Sequence, residues 1–280
     1  NRANLRVVSI SVDSKTSQDT NNVRFYPQIN SVISYPLINS NEKFTQTLTP
    51  MIMPIIAPYN NYTEAQIISN SNLFSSNRAI SIKEWESGPR INYGLEWFLD
   101  NNNDKSLKFT VGQSFRLNKN SSDSAEELSD YYFSSDAFFG NNYLNNTVVL
   151  DRKDIDVKSI SMNTYSEIYD FKFKVDYDYT SGKYASINEQ VAVGGEYNFE
   201  ENFYLKFTGT KDIDTNKNIG YQYGLLYEDN CLGIDLSYYR DKTIDRDIRE
   251  SEGYSFTIVL KPFGSTKSYG KNKVFGPLID

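Results

Sequence analysis

The sequence predicts an all-β fold, an antiparallel transmembrane β-barrel, of which roughly 12–14 strands are present here as a fragment of a larger barrel. Three observations predict it. Apolar and charged residues alternate with period two over many short segments. The chain is rich in aromatics yet low in mean hydropathy. The polar connections between the segments alternate between short and long.

The alternation is clearest from Tyr169 to Tyr179. Tyr169, Phe171, Phe173, Val175, Tyr177 and Tyr179 take one face, and Asp170, Lys172, Lys174, Asp176 and Asp178 the other. A helix has no such spacing. The same pattern runs through Ile91–Leu99, Leu107–Leu117, Val191–Phe199, Phe203–Gly209, Ile219–Tyr227, Leu232–Tyr238 and Tyr254–Leu260. Less regular strands are expected at Leu5–Val12, Val23–Ser34, Phe44–Ala57, Glu64–Ser69, Tyr143–Leu150 and Val157–Thr164.

The composition holds 22 Tyr and 17 Phe with 23% charged residues, at a mean hydropathy of −0.57. A membrane barrel has an apolar lipid face, two aromatic girdles and a polar lumen, which produces this combination. In a soluble sandwich the apolar faces would meet in a core. Here the opposite face carries full charges such as Lys172, Lys174, Asp176 and Asp178, which call for a wetted lumen. In lipid every backbone group must be paired, so only helices and closed barrels can span. No stretch approaches the roughly 18 apolar residues of a spanning helix.

The net charge is −7, against a polyanion-binding surface, so nucleic acid is not an expected partner. The single Cys231 cannot form an intrachain disulfide, and the absence of histidine removes the commonest general base and transition-metal ligand. No catalytic, cofactor or metal site is expected, and the protein is not read as an enzyme. The chain opens at Asn1 with neither Met nor a charged-then-apolar leader, and is read as a fragment.

Asn101–Lys105, Asn198–Asn202 and Glu228–Asn230 read as tight hairpins, and Leu117–Asp130, Thr180–Glu189 and Asp241–Glu252 as longer loops. Short turns on one side and long loops on the other suit a barrel between periplasm and exterior. Pro27, Pro36, Pro50, Pro54 and Pro58 are read as ending strands. Residues 1–264 are taken as one barrel segment and 265–280 as a non-strand tail.

Several segments resemble the LPS-assembly family of the outer membrane (LptD, also called OstA or Imp). Asn72-Leu73-Phe74 with Asn77-Arg78, followed by Gly88, Arg90 and Asn92-Tyr93-Gly94, is similar to the family's "NLF…NRF" stretch leading into "G.R.NYGL". Gly112-Gln113 through Arg116 resembles its "GQSYRL" strand. Ser129-Asp130 resembles the "SD" before the next strand. Asp245-Arg246-Asp247, with the strand that follows, resembles the final loop and closing strand. The segments come in family order from Asn72 to Ser265. The family's jellyroll and first barrel strands find no counterpart, nor do the adjacent cysteines of some members, so no family disulfide is carried to Cys231.

The resemblance implies transport of lipopolysaccharide from a periplasmic bridge into the outer leaflet. The route is a lateral opening between first and last strands, with a plug lipoprotein in the lumen and no cofactor. Gly253–Lys261 would be the last strand, with Tyr254, Phe256, Ile258 and Leu260 facing outer-membrane lipid, and its end would be read by the barrel-assembly machinery. The alternative is an independent porin-like channel of 12–14 strands.

Other candidates take plainer readings. Asp212–Asn216 has oxygens at alternate positions but lacks the glycine and the closing glutamate of a calcium loop, so it is read as a hairpin. Glu84 and Glu86 are read as surface charge, and Cys231 as an inert strand-start residue. Gly194-Gly195 marks a bulge or close approach. Asp245–Arg249 is read as a solvated loop.

Overall fold

The computed structural model describes residues 2–12, 20–58, 73–76, 86, 88–101, 104–117, 127–183, 188–242, 250–260 and 265–269, with side chains between Pro27 and Leu260. Every regular element among them is a strand, and no helix is long and apolar enough to cross a membrane. The fold is an antiparallel barrel segment in two compact units, Asn1–Asp136 with Thr147–Val157, and Ala137–Asn146 with Lys158–Asp280.

The first unit holds β1 (Arg2–Val12), β2 (Thr20–Asn30), β3 (Ile33–Ser34), β4 (Leu37–Ser40), β5 (Thr45–Ile56), β6 (Arg90–Asn101) and β7 (Lys105–Arg116). β8 (Tyr131–Phe139) and β9 (Asn142–Leu150) contribute to both units. β2, β3 and β4 behave as one strand interrupted twice, because all three keep a single register against β5: Asn30 faces Ile55, Ile33 faces Ile52 and Leu37 faces Leu48.

The prolines explain the interruptions. Ser31 donates to the Pro54 carbonyl at 3.3 Å and Tyr35 to the Pro50 carbonyl at 3.2 Å, but neither proline has an N–H to return. Within a strand a residue's N–H and C=O point to the same side. Both missing donors therefore fall on this seam and leave the β5–β6 ladder whole. The reading of these prolines as strand ends needs correction: Pro50 and Pro54 lie inside β5, and Pro27 inside β2.

The second unit runs through β10 (Val157–Ile168), β11 (Phe171–Thr180), β12 (Asn188–Glu200), β13 (Phe203–Asp212), β14 (Lys217–Glu228), β15 (Leu232–Asp241) and β16 (Ser251–Leu260). Each pairs antiparallel with the next. One cross-strand row reads Ile168, Phe171, Tyr197, Leu205, Leu225, Leu236, Phe256, apolar at every position. The adjacent row, on the opposite face, reads Glu167, Lys172, Glu196, Lys206, Gly224, Ser237, Ser255, polar throughout apart from one glycine. Tyr223, Leu225, Leu236, Tyr254 and Phe256 on the apolar face are exposed. An open sheet face of this kind is what a lipid phase covers.

Aromatic rings gather at both ends of these strands. Phe199, Phe203 and Tyr227 cluster at the short-turn end, with centroids 6.1 and 5.0 Å apart. Tyr221, Tyr238 and Tyr254 cluster at the long-loop end, at 6.3 and 5.3 Å. That placement matches interfacial girdles.

The structure departs from the sequence reading in three further places. β8 is a strand that alternation did not reveal, because Tyr131-Tyr132-Phe133 and Phe138-Phe139 put apolar groups on both faces. Ser265–Tyr269 opens the tail as a strand, β17, paired with Phe256–Leu260 of β16. Its Ser-Thr-Lys-Ser run has no apolar face to read, and backbone pairing to a strand edge does not require one. Tyr169 is no strand residue but the exposed tip of a two-residue turn at φ +53°. Glu64–Ser69 lies outside the described residues.

Candidate functional site

The polar face of the first unit brings most of the distinctive motif positions together. On it, Arg90 stands directly opposite Arg116, Asn92 opposite Ser114, and Gly94 opposite Gly112 across β6 and β7. Like charges directly opposite in a ladder repel, so the Arg90–Arg116 pair needs an anion. Glu86 supplies it. One carboxylate oxygen lies 3.1 Å from Arg90 Nη2 and the other 2.9 Å from Arg116 Nη2. Glu86 and Arg90 are fully buried and Arg116 nearly so. Removing one partner of such a buried pair costs about 3–5 kcal/mol. The reading of Glu86 as surface charge is therefore overturned, since it is the bridging anion of an interior cluster; Glu84 lies outside the described residues.

The same cluster fastens a short segment, Leu73–Ser76, onto the wall. Arg90 Nη2 and Gln28 Nε2 each donate to the Ser76 carbonyl at 2.8 Å. Leu73 is fully buried and packs with Tyr132, Val149 and Phe74. Its methyl occupies the space where Gly112 lacks a side chain, for a Cβ there would stand 2.3 Å from Leu73 Cδ2. A Cβ on Gly94 would stand 3.2 Å from the Phe74 ring. Two facing glycines thus make a flat floor, and burying Leu73 on it contributes about 1.5–3 kcal/mol. Met53 and Ile55, on the same face of β5 opposite Asn92 and Arg90, are buried as well.

On the opposite, apolar face, Gln113 of β7 would be a liability in lipid if its amide lacked partners. Tyr93 donates to its Oε1 at 2.5 Å, and its Nε2 donates to the Ser129 carbonyl at 2.8 Å. Ser129 itself pairs with Ser114, its N–H to the Ser114 carbonyl and its Oγ accepting the Ser114 N–H, each at 2.9 Å. The stretch before β8 is thereby drawn against the end of β7, with Asp130 next in sequence. Gly88 adopts φ +83° and donates to the Pro58 carbonyl at 3.1 Å, turning the chain into β6.

Leu73, Phe74, Gly88, Arg90, Asn92, Tyr93, Gly94, Gly112, Gln113, Arg116, Ser129 and Asp130 all lie in this one unit. Asn72, Asn77, Arg78, Asp245, Arg246 and Asp247 lie outside the described residues. Sequence reasoning missed Gln28, Ser76 and Glu86. The facing arginines carried the one signal that existed, an unmet need for an anion visible only once β6 and β7 are in register.

β16 forms a second locus. Tyr254, Phe256, Ile258 and Leu260 face Tyr238, Leu236, Ile234 and Leu232 of β15 and continue the apolar face; Gly253 falls on the polar one. The ring of Tyr239 covers Gly253, its Oη 3.0 Å from where a Cβ would stand. Arg240 meets Glu250 and Glu252 at 3.6 and 3.8 Å at the long-loop end. Cys231 is free and exposed in the turn before β15. Gly195 is a close approach rather than a bulge, since the Phe207 ring crosses it within 2.3 Å of a Cβ position. Asp212–Asn216 forms a hairpin, with the Thr215 N–H on Asp212 Oδ1 at 2.9 Å.

Comparison with known proteins gives one family-level match: a family described as LptD, LPS transport system D, matches residues 5–250. No curated protein matches. Among solved structures, two mutants of the Rh. blastica porin are similar at 10% identity, with TM-scores of 0.35 and 0.36, over 96% of this chain and all of theirs. Likeness at that level bears no weight on function.

Proposed function

The chain belongs to the LptD family, LPS transport system D, a family of outer-membrane lipopolysaccharide transport, and on that premise we propose that this barrel segment helps deliver lipopolysaccharide to the outer leaflet through a lateral opening bounded by β16. The observation that carries the reading is the family match across residues 5–250. It favours transport over an independent porin-like channel.

β16 suits the part. Its apolar row would touch acyl chains, and its polar row, Gly253, Ser255 and Thr257, is small enough to let a bulky glycolipid headgroup pass. β17 pairs with Phe256–Leu260, so passage along that stretch of the edge requires β17 to move aside. In this reading a plug lipoprotein fills the lumen and a periplasmic bridge supplies the lipid. The barrel-assembly machinery recognises the closing strand, and residues 1–264 act as one barrel segment with 265–280 as its tail. No step calls for catalysis.

Depletion of the full protein tests this. Surface lipopolysaccharide, read by labelling of intact cells, is expected to fall while the lipid accumulates inside. Unchanged surface lipopolysaccharide would refute the reading.

A further inference from the structure

We propose that the apolar face of β4, β5 and β6 carries a seat for one glycerophospholipid, in a groove of about 360 Å³ near the short-turn end. Leu37, Leu48 and Trp97 hold an acyl chain, and Asn39 and Gln46 meet the glycerol ester groups. The inference concerns the membrane around the segment and does not depend on what the protein transports.

The register builds the groove. Leu37 of β4 stands opposite Leu48 of β5, which stands opposite Trp97 of β6. All three lie on the face that carries Ile33, Ile52 and Leu95, each of them exposed. The Trp97 ring is drawn away from Leu48 by stacking on Phe109 of β7, with centroids 5.7 Å apart and planes 19° from parallel. The face therefore dips between Leu37 and Trp97, with Leu48 at the bottom. A fixed aromatic wall beside aliphatic side chains is a preformed apolar site of ligand size.

The polar groups along the groove identify the occupant. One row nearer the short turns, Asn39 stands opposite Gln46, and both line the groove. Their amides lie on the face that meets hydrocarbon, where an unpaired polar group is costly. Gln113, on the same face, is tied to Tyr93 and Ser129. Asn39 and Gln46 have no side-chain hydrogen-bond partner among the described residues. Ester carbonyls, at the boundary between acyl chain and headgroup, are acceptors suited to their N–H groups. Beyond them the turn Asn41–Phe44 presents Lys43, exposed and without an ion pair among the described residues. It supplies a counter-charge for a phosphate. Apolar wall, amides and cation thus follow the order of chain, ester and phosphate in a glycerophospholipid. Short turns face the periplasm in an outer-membrane barrel, so the seat opens on the inner, phospholipid leaflet. Lipopolysaccharide in the outer leaflet lies at the other end of the strands.

Two measurements on the full-length protein, purified with its natural partners, decide the matter. First, the unaltered protein is placed in vesicles of phosphatidylethanolamine and phosphatidylglycerol, with a trace of phosphatidylethanolamine bearing a diazirine in its acyl chain. Adducts formed on illumination are mapped by peptide mass spectrometry. Labelling of Leu37, Leu48 and Trp97 is expected several-fold above that of Leu225 and Leu236, exposed on the apolar face of the second unit. Equal labelling of the two patches would overturn the proposal, because bulk lipid alone would then cover the groove. Second, phospholipid retained through detergent purification is counted by native mass spectrometry. The parent is compared with Leu48→Trp, which fills the groove, and Gln46→Leu, which removes an amide, with heat-modifiable gel migration reporting that the barrel is folded. The parent is expected to keep one phospholipid and both variants to lose it several-fold. A parent stripped of phospholipid, or folded variants that keep it as the parent does, would contradict the seat. Neither measurement reads lipopolysaccharide, so this inference and the transport reading can fail separately.

Discussion

Lys206 of β13 reaches over the whole of β14 to Asp235 of β15, with Nζ 2.7 Å from Oδ2. It can do so because the residue between them on that face is Gly224, where a Cβ would stand 3.2 Å from Ser237 Cβ and 3.6 Å from Asp235 Oδ1. The polar row of the second unit thus alternates Glu167, Lys172, Glu196 and Lys206, and then skips a strand to find its next carboxylate. A glycine in a strand, destabilising by itself, is offset here by an ion pair that spans three strands.

A double-mutant cycle on Lys206→Met and Asp235→Asn is expected to give a coupling of about 1 kcal/mol, modest because both groups are partly wetted. In a Gly224→Val background the coupling should vanish, since the valine stands under the bridge. Urea midpoints of the folded barrel in detergent provide the measurement. An unchanged coupling in that background would show that Gly224 is not what makes room for the bridge.

Glu86→Gln should destabilise the first unit by about 3–5 kcal/mol, because it removes the buried carboxylate that the two facing arginines share. Glu86→Asp should lose less while still failing to span both. If Glu86→Gln unfolds no more readily than the parent, the carboxylate is not the shared counter-charge.

Pro50→Ala and Pro54→Ala each return an N–H donor to the seam between β5 and β2–β4. A gain of about 0.5–1.5 kcal/mol per substitution is expected, together with slow exchange of the two introduced amides. Rapid exchange at both would mean that the seam is open for reasons other than proline.

Tyr169 and Ile155 hold positive φ, at +53° and +59°, a region that costs a residue other than glycine about 1–2 kcal/mol. Asp104, Asn202 and Asn216 in the same region are types that tolerate it. Ile155→Gly and Tyr169→Asn should therefore be neutral to stabilising by up to about 1 kcal/mol. Marked destabilisation by Ile155→Gly would place a packing role on that side chain.

How much of this was legible depended on whether a residue answers to its own strand or to something distant. β11 was readable from Phe171 to Tyr179 because each side chain meets either lipid or water, and charge marks the wetted side unambiguously. β8 was not, because Tyr132 is buried against Leu73 and Val149 while Phe133 and Phe138 are exposed. Its aromatics answer to two environments at once and blur the period. Glu86 was illegible for a related reason. Its partner Arg116 lies 30 residues away, and nothing local distinguishes a buried bridging carboxylate from a solvated one. Gly94 and Gly112 could be recognised as motif residues, but their use as a floor for Leu73 and Phe74 needs the register of β6 on β7. Pro50 and Pro54 misled because proline is normally excluded from paired strands, whereas here both direct the missing donor to the same weak seam.

The central claim is that the aromatic side of each strand meets hydrocarbon while its charged side is wetted. Spin labels placed one at a time from Phe171 to Tyr179 of β11 and from Gly253 to Leu260 of β16, in a Cys231→Ser background reconstituted in bilayers, test it most directly. Collision with oxygen should peak at Phe171, Phe173, Val175, Tyr254, Phe256 and Ile258. Collision with a water-soluble nickel complex should peak at Lys172, Lys174, Asp176, Ser255 and Thr257. Two out-of-phase period-two curves are the expected result; curves in phase, or water access on both faces, would contradict it.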